Sequence, residues 1–434
     1  MSKKISFLLL FTVVCSYCNA QFLMDMIDTT TEKGKGMLAI YKKFDHLRIG
    51  GYIQPQFQVA SSKGEKSFAG GDFAAQVSNR FMLRRSRIRI DYAHFENGSR
   101  PGVQIVFQFD ANERTFTVRD IWGRVFENNL KLFSFTTGMF ARPFGFETNL
   151  SSSDRESPER GRMNQILMKS ERDLGAMVSF DVRRKKHALK NLKIDIGVFN
   201  GQGINATGEF DNTKDIISRI SLKPVHLSKA VMFSAGTSFL SGGLQNNTKY
   251  INTTETVAGI KKVVTDSAVT NIGTVSARQY FGADLQLKYK NKRGLISELR
   301  AEFIVGKQTG TLNNSETPTA LLSGIDGFHV RNFNGAYFYF LQNIFSAQHQ
   351  LLVKYDWYDP NSKVEKNEIG AIGTNFTAAN IKYTTLGFGY INYLTDNAKL
   401  ILYYDRVWNE KTALHGFTSD VKDNVFTCRL QFRF

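Results

Sequence analysis

The sequence predicts an all-β fold, a transmembrane antiparallel β-barrel of about 16 strands. Three observations predict it. Apolar and polar residues alternate with period two along most of the chain, which is the pattern of strands with two different faces. The connections between these segments are long and short in turn. The last segment is amphipathic and ends on Phe434, as the final strand of an outer-membrane barrel does.

The N-terminus predicts export. Lys3 and Lys4 precede an apolar run of ten residues, 5–14, and Ala20 offers a small residue for cleavage before Gln21. Ten residues are too few for a membrane anchor, because a helix needs about 20 to cross the hydrocarbon core. We therefore expect a signal peptide at 1–20, a periplasmic lead-in at 21–45 and the transmembrane barrel at 46–434.

Composition narrows the class of protein further. Of the three cysteines only Cys428 remains after cleavage, which excludes a disulfide-stabilised domain and a cysteine metal cluster. The formal net charge is +17, and +15 without Lys3 and Lys4. In an exported chain this excess predicts small anions or anionic membrane lipid as partners rather than nucleic acid. The histidines are scattered, and we expect no metal and no cofactor.

Each predicted strand follows the period-two pattern. In the segment 192–199, Leu192 and Ile194 lie on one face while Lys193 and Asp195 lie on the other. A face this rich in charge borders water rather than a packed core. The sixteen predicted strands are 46–60, 80–94, 101–111, 116–127, 131–141, 172–184, 190–199, 215–223, 229–240, 279–290, 294–306, 335–345, 348–359, 382–394, 398–409 and 424–434.

The connections alternate in length, which predicts long external loops on one rim and tight periplasmic turns on the other. The exception is a short connection near Asn112 on the long-loop side. Pro55 lies inside the first predicted strand, where it lacks a ladder donor and requires a bulge or a strand end. The long connections are 61–79, 142–171, 200–214, 241–278, 307–334, 360–381 and 410–423.

The second predicted strand carries a row of cations. Arg85, Arg87 and Arg89 share one face with Asp91, and successive side chains on that face lie about 7 Å apart. A guanidinium group stays charged and offers a planar fork of donors to phosphate or carboxylate. The row therefore predicts an anion path through the lumen. The alternative is a stripe neutralised by acidic residues across the lumen, which shapes a transverse field.

The segment from Gly138 to Gly175 resembles the phosphate-selective porin O and P family. The resemblance lies in the stretch G-x-F-x-x-P-F-G-x-E from Gly138, the Glu159-Arg160 pair and the Arg-Asp-Leu-Gly start of the next strand at Arg172. It extends more loosely to the strand of Arg84 to Arg89 and to the C-terminal Phe. The resemblance implies a trimer of barrels of about 16 strands, with the third long loop folded inward as a constriction.

Carried onto this sequence, residues 142–171 are the predicted constriction loop. Within it, Arg142, Arg155, Arg160 and Arg162 are candidates for anion contact. Acidic residues lie among them, so a structural ion pair is an equal alternative for each arginine. These acidic residues are Glu147, Asp154, Glu156, Glu159 and Glu171.

The expected function is passive diffusion of small anions, phosphate among them, through an outer-membrane porin. One alternative is a general or carbohydrate-passing porin, in which Phe338, Phe340 and Tyr403 line a sugar path. A barrel enzyme is a further alternative. It would need a Ser-His-acid or paired-carboxylate site, and no recognisable spacing of such residues is present. We therefore expect a channel and not an enzyme.

Overall fold

The computed structural model describes residues 46–96, 100–184 and 186–434. The predicted signal peptide and lead-in lie outside the described residues. Within these ranges one short α-helix, α1 (Arg162–Leu167), and two 3-10 turns, Val269–Asn271 and Ala378–Asn380, accompany eighteen strands. The strands are β1 (Leu47–Ala60), β2 (Asn79–Glu96), β3 (Arg100–Ala111), β4 (Phe116–Phe126), β5 (Phe133–Ala141), β6 (Arg172–Asp181), β7 (Leu192–Phe199), β8 (Asp215–His226), β9 (Val231–Gln245), β10 (Ile251–Val257), β11 (Ile260–Asp266), β12 (Val275–Lys290), β13 (Ile296–Thr311), β14 (Phe328–Asn343), β15 (His349–Asp359), β16 (Tyr383–Thr395), β17 (Ala398–Asn409) and β18 (Val425–Arg433).

Sixteen of these strands form the wall of a closed barrel. Each pairs antiparallel with its neighbour in the chain, and β1 pairs with β18 to close the sheet. Strands β10 and β11 form a hairpin outside the wall, so that β9 pairs directly with β12. The predicted all-β transmembrane barrel of 16 strands is confirmed. Closure matters because lipid does not tolerate an open sheet edge.

The two faces of the wall differ as the alternation predicts. On the outer face Ile196 and Phe281 are 53% and 52% exposed, whereas Asp195 and Asp284 on the lumen face are 4% and 7% exposed. Cys428 lies on the outer face of β18, opposite Phe57 of β1. No helix among the described residues is long and apolar enough to cross a membrane.

A bulge resolves the conflict at Pro55. The pairing of β1 with β2 shifts register between Ile53 and Pro55, which removes the need for a donor at the proline. On β2 the shift falls between Leu83 and Ser86, so the intervening Arg84 and Arg85 both turn towards the lumen.

The loop 142–171 lies inside the barrel, as predicted. Its residues contact opposite parts of the wall. Ser152 accepts from Arg87 of β2, and Glu156 forms two hydrogen bonds of 2.7 and 2.8 Å with Arg300 of β13. Apolar residues of the loop and of α1 pack against the wall of β12 to β17 and fill that half of the lumen. These buried residues include Phe144, Met163, Tyr280, Tyr337, Tyr339 and Tyr403.

The β10–β11 hairpin was not predicted. It turns at Ala258 and Gly259, both with positive φ, and packs on the loops that follow β15 and β17. Val263 on β11 is buried with Ile369 and Phe376 in a small apolar cluster of its own. The hairpin and these loops form a cap above the half of the barrel that the constriction loop fills.

Candidate functional site: an arginine-lined vestibule

A large cavity opens at the short-turn rim of the barrel, below the constriction loop. Its volume is about 950 Å³, and His46, Arg433 and Phe434 mark its mouth. Four aspartates and ten cationic side chains line it, an excess of six positive charges. We call this cavity the vestibule. The cations are Arg48, Arg87, Arg89, Arg119, Arg124, Arg160, Arg172, Lys193, Arg219 and Arg433.

Most of these cations come from neighbouring strands on one side of the barrel, β2, β4, β6, β7 and β8. Alternation alone places Arg87, Arg89 and Arg219 on the lumen face. Arg119 has a different cause. The register of β3 with β4 shifts after Gln108, which leaves Arg119 as an extra residue that turns inward. The open part of the lumen is therefore displaced towards β2–β8, away from the filled half.

Arginines and carboxylates form a network at the top of the vestibule. Glu171, at the end of the constriction loop, accepts hydrogen bonds from Arg119, Arg160 and Arg172, at 2.9 Å for the last two. Asp110 of β3 pairs with Arg87 at 2.8 Å. Arg172 also pairs with Asp120 at 3.2 Å, so four arginines face three carboxylates in this network and one positive charge is left over to attract a further anion.

Trp122 holds two further arginines over its ring. The guanidinium carbon of Arg124 lies 5.0 Å from the ring centroid and that of Arg89 lies 5.8 Å away. Arg89 also forms two hydrogen bonds with Asp91, at 2.7 and 2.8 Å. Arg124 donates to Thr136 at 2.8 Å, and no carboxylate of the described residues forms a salt bridge with it. Arg124 is therefore a vestibule cation without a direct counter-charge.

Glu159 anchors the constriction loop to the wall. Its carboxylate accepts hydrogen bonds from Arg84 and Arg85 of β2 and from Arg429 of β18, over distances of 2.6–3.2 Å. Burial would raise the pKa of Glu159, but the three arginine charges hold it well below its ordinary value. Burial and repulsion from Arg85 lower the pKa of the nearby Arg155 to about 10.

The structure brings only part of the predicted set together. Of the seven candidate arginines, Arg87, Arg89 and Arg160 line the vestibule. Arg85 lies behind it, paired with Glu159 at 2.6 Å. Burial, with repulsion from Arg155 and Arg172, lowers the pKa of Arg160 well below its ordinary value.

The other three candidates do not line the vestibule. Arg155 is buried inside the loop, and its Nε has no hydrogen-bond partner. Arg162 on α1 lies between the rings of Phe68 and Tyr383, 4.5 and 3.7 Å from their centroids, and contacts Asp423 at 3.5 Å. Arg142 donates to the Ser170 carbonyl at the base of the loop.

Two other expectations are corrected or extended. Phe338 and Phe340 are 48% and 43% exposed on the outer, lipid-facing side of β14, so the prediction that they line a sugar path is wrong. Tyr403 faces the lumen but is buried at 2%. Among the vestibule cations that sequence reasoning missed, Arg124 lies two residues after Trp122 on the same face of β4, so the alternation could have identified it. No group of three or more His, Cys, Asp or Glu in the described part of the chain could hold a metal ion.

Comparison with known proteins supports the fold. No family profile and no curated sequence matches the chain. The outer-membrane channel DcaP of Acinetobacter baumannii matches 89% of this chain over 97% of its own, with a TM-score of 0.51 at 10% identity. A loop-deletion mutant of OmpT, an outer membrane protein of Vibrio cholerae, matches 89% of this chain over 99% of its own, with a TM-score of 0.49 at 9% identity. A triple mutant of the Rhodopseudomonas blastica porin matches 89% of this chain over 100% of its own, with a TM-score of 0.41 at 10% identity.

Proposed function

We propose that the chain is an outer-membrane porin through which small anions, phosphate among them, diffuse passively. The observation that carries the proposal is the vestibule, where ten cations face four aspartates. A narrow wet passage with low-dielectric walls focuses such charge and raises the local concentration of anions. Several weak sites in series allow an anion to leave as readily as it enters, which conduction requires.

The proposed path begins at the mouth of the vestibule and rises to the constriction loop. Arg48 is exposed at the mouth, and Arg89 and Arg124 follow on either side of Trp122. The network around Glu171 forms the next step. Arg160 in this network belongs to the constriction loop, so an anion that binds there also affects the position of the loop.

We assign a different role to the arginines that lie away from the vestibule. Arg85 acts through Glu159, and Arg155 and Arg162 act inside or behind the loop, so these three set the width of the constriction. This divides the predicted anion path into residues that meet the solute and residues that position the loop. The proposed function is passive and involves no catalysis.

The test is the reversal potential of purified protein in planar bilayers under a salt gradient. Arg124→Gln removes one vestibule cation that has no carboxylate partner. At about 6 Å in a water-like dielectric one positive charge favours an anion by about 0.7 kcal/mol and disfavours a cation by the same amount, so the anion-to-cation permeability ratio should fall about tenfold. Lys292→Gln removes one charge at an exposed short turn and serves as the matched control.

Two results would count against the proposal. Equal passage of anions and cations by the wild type would reduce the function to general diffusion, which is the alternative from sequence. An equal effect of Arg124→Gln and Lys292→Gln would mean that the vestibule does not set selectivity.

The proposal includes a location and an assembly. The outer face of the wall is apolar, with Phe135, Phe239 and Phe303 between 43% and 47% exposed, and it suits the lipid of the outer membrane. The trimer that the family resemblance implies is part of the proposal. Native mass spectrometry in detergent should show three chains, and a monomer alone would count against the assembly.

A further inference from the structure

A second basic cavity lies on the long-loop side of the constriction, apart from the vestibule. Arg142 and Ser170 line it at the two ends of the constriction loop, together with Lys169. Gln202 lines it from the loop 200–214, and Arg278 from the wall. The vestibule instead contacts Pro143 and Arg172, on the other side of the same loop ends. We call this cavity the recess.

The recess contains buried cations with incomplete partners. Arg142 is 4% exposed and Arg278 is 2% exposed, and the Nε atom of each is buried without a hydrogen-bond partner. Two carboxylates lie behind the recess: Asp215 pairs with Arg278, and Asp173 accepts from the backbone N–H of Gly201 at 2.7 Å. Lys169 contributes a third positive charge at the surface, so the recess carries one excess positive charge once Lys169 is released from Glu316. No carboxylate lines the recess among the residues that the structure describes. Its chemistry therefore suits a small anion.

The segment 312–327, between β13 and β14, covers the recess. Thr317 and Thr319 of this segment form part of its lining. Gln308 of β13 donates to the Ser315 carbonyl and to Thr317 Oγ1 at 3.1 and 3.0 Å, and Asn247 forms two hydrogen bonds with Leu322, so the segment is also held from the sides. Three further interactions join it to the recess and the adjoining loop. Lys169 Nζ lies 2.5 Å from Glu316 Oε2, Arg278 donates to Thr317 Oγ1 at 3.1 Å, and the backbone N–H of Thr207 donates to the Thr319 carbonyl at 3.3 Å. The Lys169–Glu316 pair is exposed, at 52% and 21% of the side chains.

We propose that the recess is a capture site for a small oxyanion and that the segment 312–327 is its lid, latched by Lys169 and Glu316. The closed recess measures about 20 Å³, which holds little more than one water molecule. A phosphate-sized anion enters only when the lid moves. Opening exposes the side chains of Arg142 and Arg278, which are the groups that bind the anion, whereas Lys169 and Glu316 only hold the lid closed. The inference rests on the proposed function, since capture has a purpose only if anions pass.

The latch is weak enough to open. An exposed ion pair shifts an equilibrium by no more than about fivefold, because both charges are well solvated when apart. Loss of either partner should therefore raise the fraction of open lids two- to fivefold. This predicts the same direction of effect for Glu316→Gln and Lys169→Gln. A pure field effect predicts opposite directions, since one variant removes a negative charge and the other a positive charge.

The experiment measures block of chloride current by inorganic phosphate in single oriented channels, with phosphate on the long-loop side. Both Glu316→Gln and Lys169→Gln should raise the rate of block two- to fivefold over the wild type. Glu368→Gln is the matched control, because it removes a carboxylate from another loop pair, 3.0 Å from Lys261, away from the recess. Its rate of block should not change. Phosphate added on the vestibule side should give wild-type rates in all three variants.

The outcomes separate the inference from the function on which it rests. Opposite effects of the two latch variants, or no effect of either, would overturn the lid. A wild type that selects anions but shows no phosphate block from the long-loop side would overturn the capture site and leave the porin intact. Loss of anion selectivity in the wild type would instead remove the proposed function.

Discussion

Glu159 offers a direct test of how the constriction is held. The carboxylate accepts five hydrogen bonds from Arg84, Arg85 and Arg429, and its side chain is 7% exposed. In Glu159→Gln the amide oxygen still accepts hydrogen bonds. The amide nitrogen takes the place of Oε2, which accepts from Arg85 at 2.6 Å in the wild type, so two N–H donors then face each other. Three arginines also lose their shared counter-charge in a buried place.

The expected cost falls on loop docking and not on the barrel. Removing one partner from a buried ion pair costs about 3–5 kcal/mol. We take the lower end, about 3 kcal/mol, because an acceptor remains and because Glu156–Arg300 and Lys399 still hold the loop. Since 1.4 kcal/mol is tenfold, the docking equilibrium should weaken about a hundredfold. The loop should then leave its docked position often enough to be seen.

Single-channel recording in planar bilayers is the assay. Glu159→Gln should show frequent steps to a higher conductance and a stronger preference for anions than the wild type. Asp91→Asn is the control, because it also removes one lumen carboxylate, the partner of Arg89 on a strand rather than on the loop. Steady wild-type currents in Glu159→Gln, or equal steps in both variants, would refute the role of Glu159 as the anchor.

Two further predictions concern stability, each read as the melting temperature of the protein in detergent. Burial raises the pKa of Asp423 to about 6 against the attraction of Arg162, so between about pH 4 and pH 6 the folded chain keeps a proton that the unfolded chain loses. The contribution of this group to stability therefore falls as the pH rises through that window. Asp423→Asn should melt at a higher temperature than the wild type at about pH 7.5 and at the same temperature at about pH 4. A lower melting temperature of the variant at neutral pH would contradict this. Gly145 and Gly373 both have positive φ, where alanine costs about 1–2 kcal/mol, but a Cβ at Gly145 would also lie 2.2 Å from a Glu302 oxygen while one at Gly373 meets nothing within 4 Å. Gly145→Ala should therefore lower the melting temperature more than Gly373→Ala. Equal decreases in melting temperature would show that the constriction loop shifts to accommodate the Cβ at no cost.

The barrel could be predicted from sequence because each strand shows its two environments in its own sequence pattern. A strand with lipid on one side and water on the other must alternate, and Leu192 to Phe199 keeps that pattern without interruption. The β10–β11 hairpin could not be predicted in the same way. It lies outside the membrane, both of its faces carry threonines, and its turn is Ala258-Gly259 rather than a strong Asn-Gly signal.

The site was harder to predict than the fold because bulges change the phase of the alternation. Arg119 belongs to no regular face of β4, and Arg84 enters the lumen only through the shift opposite Pro55. The constriction loop carries arginines and carboxylates in similar number, and sequence does not say which pair. The structure places Glu159 and Glu171 each among three arginines. Those contacts join residues up to 270 positions apart.

The pairing of β1 with β18 has a consequence for how the protein is made. Tyr52 pairs with Arg433, and the N–H of Gly51 donates to the Phe434 carbonyl, so the first and last strands complete each other. One edge of β1 therefore has no partner until the C-terminal residues have been synthesised and have reached the sheet. Contacts of such large sequence separation form slowly. An unpaired edge in the meantime is a template for wrong association, so the newly made chain depends on being kept apart from its copies until β1 pairs with β18.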